Sequence, residues 1–331
     1  MIVACASPGT VPHFPDVVRL RDGRLLCAYR ESTGHVRADG RIMVVESADD
    51  GATWSPPRVA VDGPYDDRDP KLVQLADGTV LLSYFVLQWQ PDAPFVTLGT
   101  LVTRSEDGGL TWSEPVTAGG DELLWAASHG SPIELPDGSL LLPIYGIPPA
   151  SKESTSGAKL DSSWVIRSED GGRTWPASTL ALLGANDDFH VHEPTLTLLP
   201  GGEIVALLRT SAEHAYLTRS TDGGRSWTAP VETDLPASSH HALLLDDGGV
   251  LVAYGDISKR FSPLRSTVAR IVTRPEGEWT GSDIHLYDSG HRDQANPSSV
   301  ELSPGRFLTV SFDLPNATVV GVVSERTQYG G

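Results

Sequence analysis

Four histidines stand at corresponding places in this chain. His13, His129, His192 and His240 each open or immediately precede an apolar run of β type. Arg68 with Asp69, and Asn296, hold the corresponding places in two further runs, and Glu193 follows His192. A second set closes the runs that come next: Tyr29 with Arg30 and Glu31, Tyr84, Tyr145, Arg209, Tyr254 with Asp256, and Asp313. Imidazoles and carboxylates exchange protons near neutral pH. Guanidinium groups grip carboxylates and developing negative charge. One buried histidine is usually a hydrogen-bonded core residue. Four in register point to acid–base chemistry on a polar substrate, or to a divalent metal held by His13, His129, His192 and His240.

The elements that must position these residues are written as repeats. The strings 47-SADDGATW-54, 105-SEDGGLTW-112, 168-SEDGGRTW-175 and 220-STDGGRSW-227 are near copies, and 274-RPEGEW-279 is an eroded fifth. Between them runs a second unit, two apolar stretches joined by a tight turn, as in VVRLRDGRLLCAY and ALLLDDGGVLVAY. It occurs six times, with turn glycines Gly23, Gly78, Gly138, Gly202, Gly248 and Gly305. Asp-Gly and Gly-Gly between β-rich runs are hairpin signals. One period is therefore four antiparallel strands, A to D, in roughly 55 residues, and six periods fill the chain. The expected fold is all-β: one six-bladed β-propeller over residues 1–331, with the N-terminal IVACA closing the last blade. Antiparallel connectivity puts the acidic strings, as C–D turns, at one end of each blade. The starts of A and the ends of B, which carry the histidines, lie at the other.

Strings of the form S-x-D-x-G-x-T-W are Asp-boxes, and the whole chain resembles the sialidase-like superfamily of six-bladed propellers. In that family three arginines hold an acidic sugar's carboxylate, a tyrosine activated by a glutamate is the nucleophile, and an aspartate is the acid/base. The segment 192-HEPTLTLLPGGEIVALLR-209 resembles the stretch carrying the activating glutamate and second arginine, which implies those roles for Glu193 and Arg209. The segment 38-ADGRIMVVESADDGATW-54 is similar to the stretch with the acid/base aspartate and implies Asp39, although a solvated loop aspartate reads equally well. Arg265, in 265-RSTVARI-271, matches the third arginine. Two departures stand out. His13 replaces the first arginine, and Asn296–Pro297 stand where the nucleophilic tyrosine is expected. An ordinary sialidase mechanism cannot run on this set.

Three enzymatic readings follow. The first is a glycoside hydrolase acting on another sugar, with Asp39, Glu193, Asp69 or His129 as acid and base. Arg30, Arg68, His192, Tyr145 and His240 would join His13, Arg209, Arg265 and Asn296 in binding the substrate. The second is a lyase on a uronic-acid glycan: His129 or His192 takes the C5 proton, Tyr145 protonates the leaving oxygen and Arg209 stabilises the carboxylate. The third is the metal-dependent enzyme. A non-catalytic glycan-binding propeller is the remaining class, with Trp89 and Trp125 as stacking platforms. Trp164 reads as a core residue of strand C. The density of acid–base side chains favours an enzyme, most simply the hydrolase. No cofactor is required by the sequence, though a divalent metal is compatible with it.

Composition narrows the partners. With 331 residues the chain can bury a large core without disulfides or metal. A formal net charge of −18 disfavours nucleic acid and anionic membrane surfaces, leaving a small-molecule or oligosaccharide substrate as the expected partner. Cys5 and Cys27 lie in apolar runs and read as buried free thiols. No stretch has the length of a bilayer span and the N-terminus lacks a signal-peptide pattern, so a soluble cytoplasmic protein is expected. The pair 187–188 after Asn186 reads as an Asx-turn in preference to a cation site. The polar 151-SKESTSGAK-159 reads as a B–C loop.

Overall fold

The computed structural model describes residues 1–91, 95–149 and 159–330, so the expected B–C loop at 151–159 lies, except for Lys159, outside the described residues. Among them, six antiparallel sheets follow one another along the chain, and the fold is a six-bladed β-propeller. The first sheet is Val11–Arg19, Leu25–Ser32, Arg41–Ser47 and Arg58–Val61. The second comprises Asp66–Gln74, Val80–Gln88, Val96–Ser105 and Val116–Thr117. In the third, the A position is split into Ala126–Ser128 and Ile133–Glu134, followed by Leu140–Gly146, Ser162–Ser168 and Ala181–Gly184. The fourth is Val191–Leu198, Ile204–Thr210, His214–Ser220 and Val231–Pro236, and the fifth His240–Leu244, Val250–Asp256, Ser266–Val272 and Ile284–Tyr287. The sixth takes Ser298–Ser303, Arg306–Asp313 and Thr318–Glu325 from the C-terminal end, and the N-terminal Ile2–Cys5 as its outer strand. Cys5 pairs with Thr318 and Ile2 with Val320.

The chain divides into two compact units, residues 1–74 with 238–331, and residues 75–237. In each, the B strands are buried almost throughout, as Leu25–Ser32 and Val80–Gln88 are. The D strands are short and half-exposed, as Arg58–Val61 and Val231–Pro236 are. Strands buried on both faces read as continuous apolar runs, and this is why the A–B hairpins were so plain in the sequence. Their turns repeat one geometry. Gly23 donates its N–H to Leu20 and Leu20 donates to Arg24, with Gly23 at φ 91°.

The Asp-boxes tie off C–D turns by side-chain capping. Ser168 Oγ donates to Asp170 Oδ1 at 2.8 Å and accepts the Gly172 N–H at 2.9 Å. The same carboxylate accepts the Thr174 N–H at 2.9 Å and its hydroxyl at 2.6 Å. Trp175 Nε1 closes the turn on the Gly172 carbonyl at 3.2 Å. The eroded fifth copy keeps the tryptophan, and Trp279 Nε1 donates to Pro275 O at 2.9 Å. These acids are consumed by their own turn. A cavity of about 610 Å³ lies against this same turn of the third sheet, lined by Trp175, Arg173 and Glu122, and none of the expected site residues lines it.

One expectation fails in detail. Cys27 is buried, but Cys5 is exposed, because it stands at the end of an outermost strand whose inward side chains are Val3 and Ala4. Among the described residues no helix is long and apolar enough to cross a membrane.

Candidate functional site

The starts of the A strands are bent in a shared way. In the first sheet, pairing with the B strand slips between His13 and Asp16, and Phe14, just before Pro15, sits at φ 53°. In the fourth, it slips between His192 and Thr195, and Glu193, just before Pro194, sits at φ 44°. Asp69 before Pro70 has φ 48°, and Ala295 before Asn296–Pro297 has φ 64°. Proline lacks the ladder N–H and bars the preceding residue from the right-handed helical region. The bulge re-aims the side chain beside it. A non-glycine residue held in the left-handed region costs about 1–3 kcal/mol, so the surrounding contacts must over-determine it.

In the unit of residues 75–237, Glu193 is the centre of a charged group. Its Oε1 accepts a hydrogen bond from Arg209 Nη1 at 2.7 Å, and both side chains remain partly exposed. Burial alone would raise the Glu193 pKa, but the positive fields of Arg209, His129 and His192 outweigh it and hold the carboxyl well below its usual range. His192 stands edge-on to Tyr145, with ring centroids 6.0 Å apart, and stacks against His190 at 6.1 Å. Desolvation is the main cause lowering the His192 pKa from its usual value, with the nearby Glu193 and Asp161 carboxylates pulling the other way. Its Nε2 is buried without a hydrogen-bond partner, while Nδ1 lies 3.8 Å from Asp161 Oδ2. Asp161 also holds His190 Nδ1 at 3.0 Å. His129 is buried beside a glycine whose place tolerates no side chain, since a Cβ on Gly130 would lie 2.5 Å from Pro194 O. Trp125 meets Trp164 edge-on at 6.3 Å, and Trp164 donates to Ser162 Oγ at 2.8 Å. Trp164 is half-buried, less enclosed than a core residue. Trp89 packs edge-on to Phe95 at 5.6 Å.

In the unit of residues 1–74 and 238–331, Arg30 has no exposed surface and is a structural cation. Its Nε donates to Asp66 Oδ1 at 2.7 Å, and Nη1 donates to Ser32 Oγ at 2.5 Å. Arg68 Nη1 donates to the other Asp66 oxygen at 2.9 Å and to His35 O at 2.8 Å, and its guanidinium lies 5.1 Å from the Phe14 ring centroid. Asp66 thus neutralises two arginines named as substrate ligands, and Arg30 is too enclosed for that role. Asp69 accepts a hydrogen bond from Asn296 Nδ2 at 3.3 Å. Asp39 is exposed and takes the Thr33 N–H at 3.3 Å, closing its own loop. Arg265 lies against Gly255, with Nη2 donating to Ser239 Oγ at 3.0 Å and Ser238 Oγ at 3.2 Å. His240 packs on Tyr254, whose hydroxyl donates to Asp283 at 2.7 Å.

The same unit holds a group that the sequence did not announce. His13, His35 and Asp293 bring one potential ligand atom each within 4.8 Å of the others. Among the described residues this is where metal-type side chains gather; His13 belongs to the expected metal set, and His35 and Asp293 are new. Burial pushes the His13 imidazole down to about 4, against the opposing pull of Asp293. His35, Asp161, His190 and Asp293 sit in loops, and Asp66 opens the first strand of the second sheet. The one signal that could have found their neighbours is the recurring residue–proline pair at 14–15, 69–70 and 193–194. Asp188 N–H bonds Asn186 Oδ1 at 2.8 Å, an Asx-turn.

Residues 23–308 match the protein family described as a BNR repeat-like domain. No match was found among curated protein sequences. Among solved structures, a protein of unknown function from Dyadobacter fermentans is 27% identical, over 98% of this chain and 97% of that one, with a TM-score of 0.85. The Hadza microbial sialidase Hz136 is 19% identical over 96% of this chain and 66% of its own, with a TM-score of 0.75. The Penicillium chrysogenum α-L-arabinanase, complexed with arabinobiose, is 18% identical over 99% and 98%, with a TM-score of 0.69. The two enzymes share the fold.

Proposed function

From the premise that the chain belongs to the BNR repeat-like family, we propose that it is a glycoside hydrolase acting on a sugar other than a sialoside. The observation that carries this reading is the Glu193 carboxylate. It is partly exposed, held in a strained backbone conformation, and kept ionised by Arg209 at 2.7 Å. A carboxylate kept ionised in that way has the charge state of a nucleophile at a glycosidic carbon. Arg209 fixes its orientation and charge, and is thereby less available for an acidic sugar's carboxylate. The missing arginine at His13 and the missing tyrosine at Asn296 support a neutral substrate. The arabinanase among the structural neighbours, complexed with the neutral sugar arabinobiose, is compatible with this.

One observation favours a second reading. Desolvation lowers the His192 pKa, its Nε2 is buried without a hydrogen-bond partner among the described residues, and it stands edge-on to Tyr145 at 6.0 Å. A neutral imidazole beside a phenol can take a C5 proton and return one to a leaving oxygen, which is uronate elimination. The two readings part on the product. Aryl glycosides, neutral oligosaccharides, sialosides and uronic-acid oligosaccharides are offered in parallel, with reducing ends and the absorbance of an unsaturated sugar followed together. Reducing ends from a neutral substrate support the hydrolase; a rise in unsaturated product replaces it with the lyase.

A further inference from the structure

We propose that His13, His35 and Asp293 form a binding site for a divalent transition-metal ion, with Zn²⁺ as the expected occupant. Asp293 Oδ2 faces both imidazoles, 2.8 Å from His35 Nδ1 and 3.7 Å from His13 Nε2. Ligand bonds of about 2.1 Å in tetrahedral arrangement put ligand atoms roughly 3.4 Å apart. The observed spacings straddle that value, so small side-chain shifts would admit an ion. Two imidazoles and one carboxylate suit Zn²⁺ and its transition-metal neighbours and do not suit Ca²⁺ or Mg²⁺, which take all-oxygen sets.

A second observation points to a ligand independently of the spacing. His13 has no exposed surface, yet among the described residues neither ring nitrogen makes a hydrogen bond, the Asp293 carboxylate stopping 3.7 Å short of Nε2. Buried polar atoms are nearly always satisfied. Here the ring is clamped between Phe14 and Phe312, each 5.4 Å away centroid to centroid, and edge-on to His35 at 5.2 Å. An ion between His13 and Asp293 supplies the missing partner. The flanking loops are already organised. Arg68 holds the His35 carbonyl at 2.8 Å, and His291 Nδ1 accepts the Asp293 N–H at 3.1 Å. His35 is half-exposed, so solvent reaches this side of the group. Three protein ligands leave a fourth position for water or a substrate oxygen.

The test is metal binding, read without turnover, so its outcome is separate from that of the glycosidase assays. Chelator-treated full-length protein is titrated with Zn²⁺ by calorimetry and with Co²⁺ by visible absorbance. One ion per chain is expected, with a tetrahedral Co²⁺ spectrum and a raised melting temperature. His13→Ala is liable to unfold the protein, so the exposed-side variants His35→Ala and Asp293→Asn are used, each expected to weaken Zn²⁺ at least 100-fold. His285→Ala, outside the group, leaves binding unchanged. Absence of stoichiometric binding, or binding indifferent to His35→Ala and Asp293→Asn, overturns the proposal.

Discussion

Arg209 Nη1 donates to Glu193 Oε1 at 2.7 Å, joining the end of one strand to the strained start of its neighbour. Pairing places His192 directly opposite Arg209, and the bulge that follows turns Glu193 onto the guanidinium. This is a carboxylate whose charge state is set by its neighbours. On the hydrolase reading, Glu193→Gln removes the nucleophile and lowers kcat by about 10⁴-fold or more. Steady-state kinetics on folded variant protein checks it.

Arg209→Met separates charge from chemistry. The folded Glu193 pKa is depressed, so its favourable contribution is present above the unfolded carboxylate value and is lost as pH falls through the folded value. Without Arg209 the carboxyl protonates at higher pH. The acid limb of the kcat/KM profile then moves upward, whereas a merely structural arginine would lower the profile without moving it.

Gly40 is required by contact, and a Cβ there would meet Asp66 Oδ1 at 1.9 Å and Arg30 Nε at 2.5 Å. Gly40→Ala must displace one member of a wholly buried ion pair. Breaking such a pair costs about 3–5 kcal/mol. Gly23→Ala, which meets nothing within 4 Å but sits at φ 91°, is expected to cost only about 1 kcal/mol. Urea unfolding of the two variants should rank them in that order.

The Asp-box acids are structural. Asp170→Ala removes the acceptor of two backbone N–H groups and two hydroxyls, at a cost of about 1–2 kcal/mol, with kcat unchanged. Burial opposes the Asp170 shift, but hydrogen bonds from Thr174 and Ser168 win and lower its pKa. Its stabilisation is therefore complete above the unfolded value and is lost as pH falls below about 4. Thermal melts of wild type and Asp170→Ala should converge in acid.

The fold was legible because each blade repeats its own instructions. Ser168, Asp170, Gly172, Thr174 and Trp175 bond one another within eight residues, so the string alone carries the turn. Glu193 and Arg209 were legible for a related reason, since one hairpin connects them. His35 and Asp293 were not. They are 258 positions apart and meet His13 only through loop conformations that no periodicity records. The burial of Arg30 is not readable from the chain, because its partner, Asp66, lies on the next blade's first strand. Asp39 carried a resemblance, but its geometry is that of a loop closure.

Tyr145→Phe tells the two catalytic readings apart. A hydrolase centred on Glu193 loses less than about tenfold, whereas a lyase that needs the phenol as acid loses about 10²-fold or more. Product formation on the best substrate is the measurement.

The most direct test compares wild type with Glu193→Gln on the glycoside panel, following reducing ends and unsaturated product in the same samples. Reducing sugar released from a neutral glycoside by the wild type, and nearly abolished in the folded variant, is the predicted result. A fully active Glu193→Gln protein, or unsaturated product from the uronic-acid oligosaccharides with no reducing sugar from any neutral glycoside, would contradict the account.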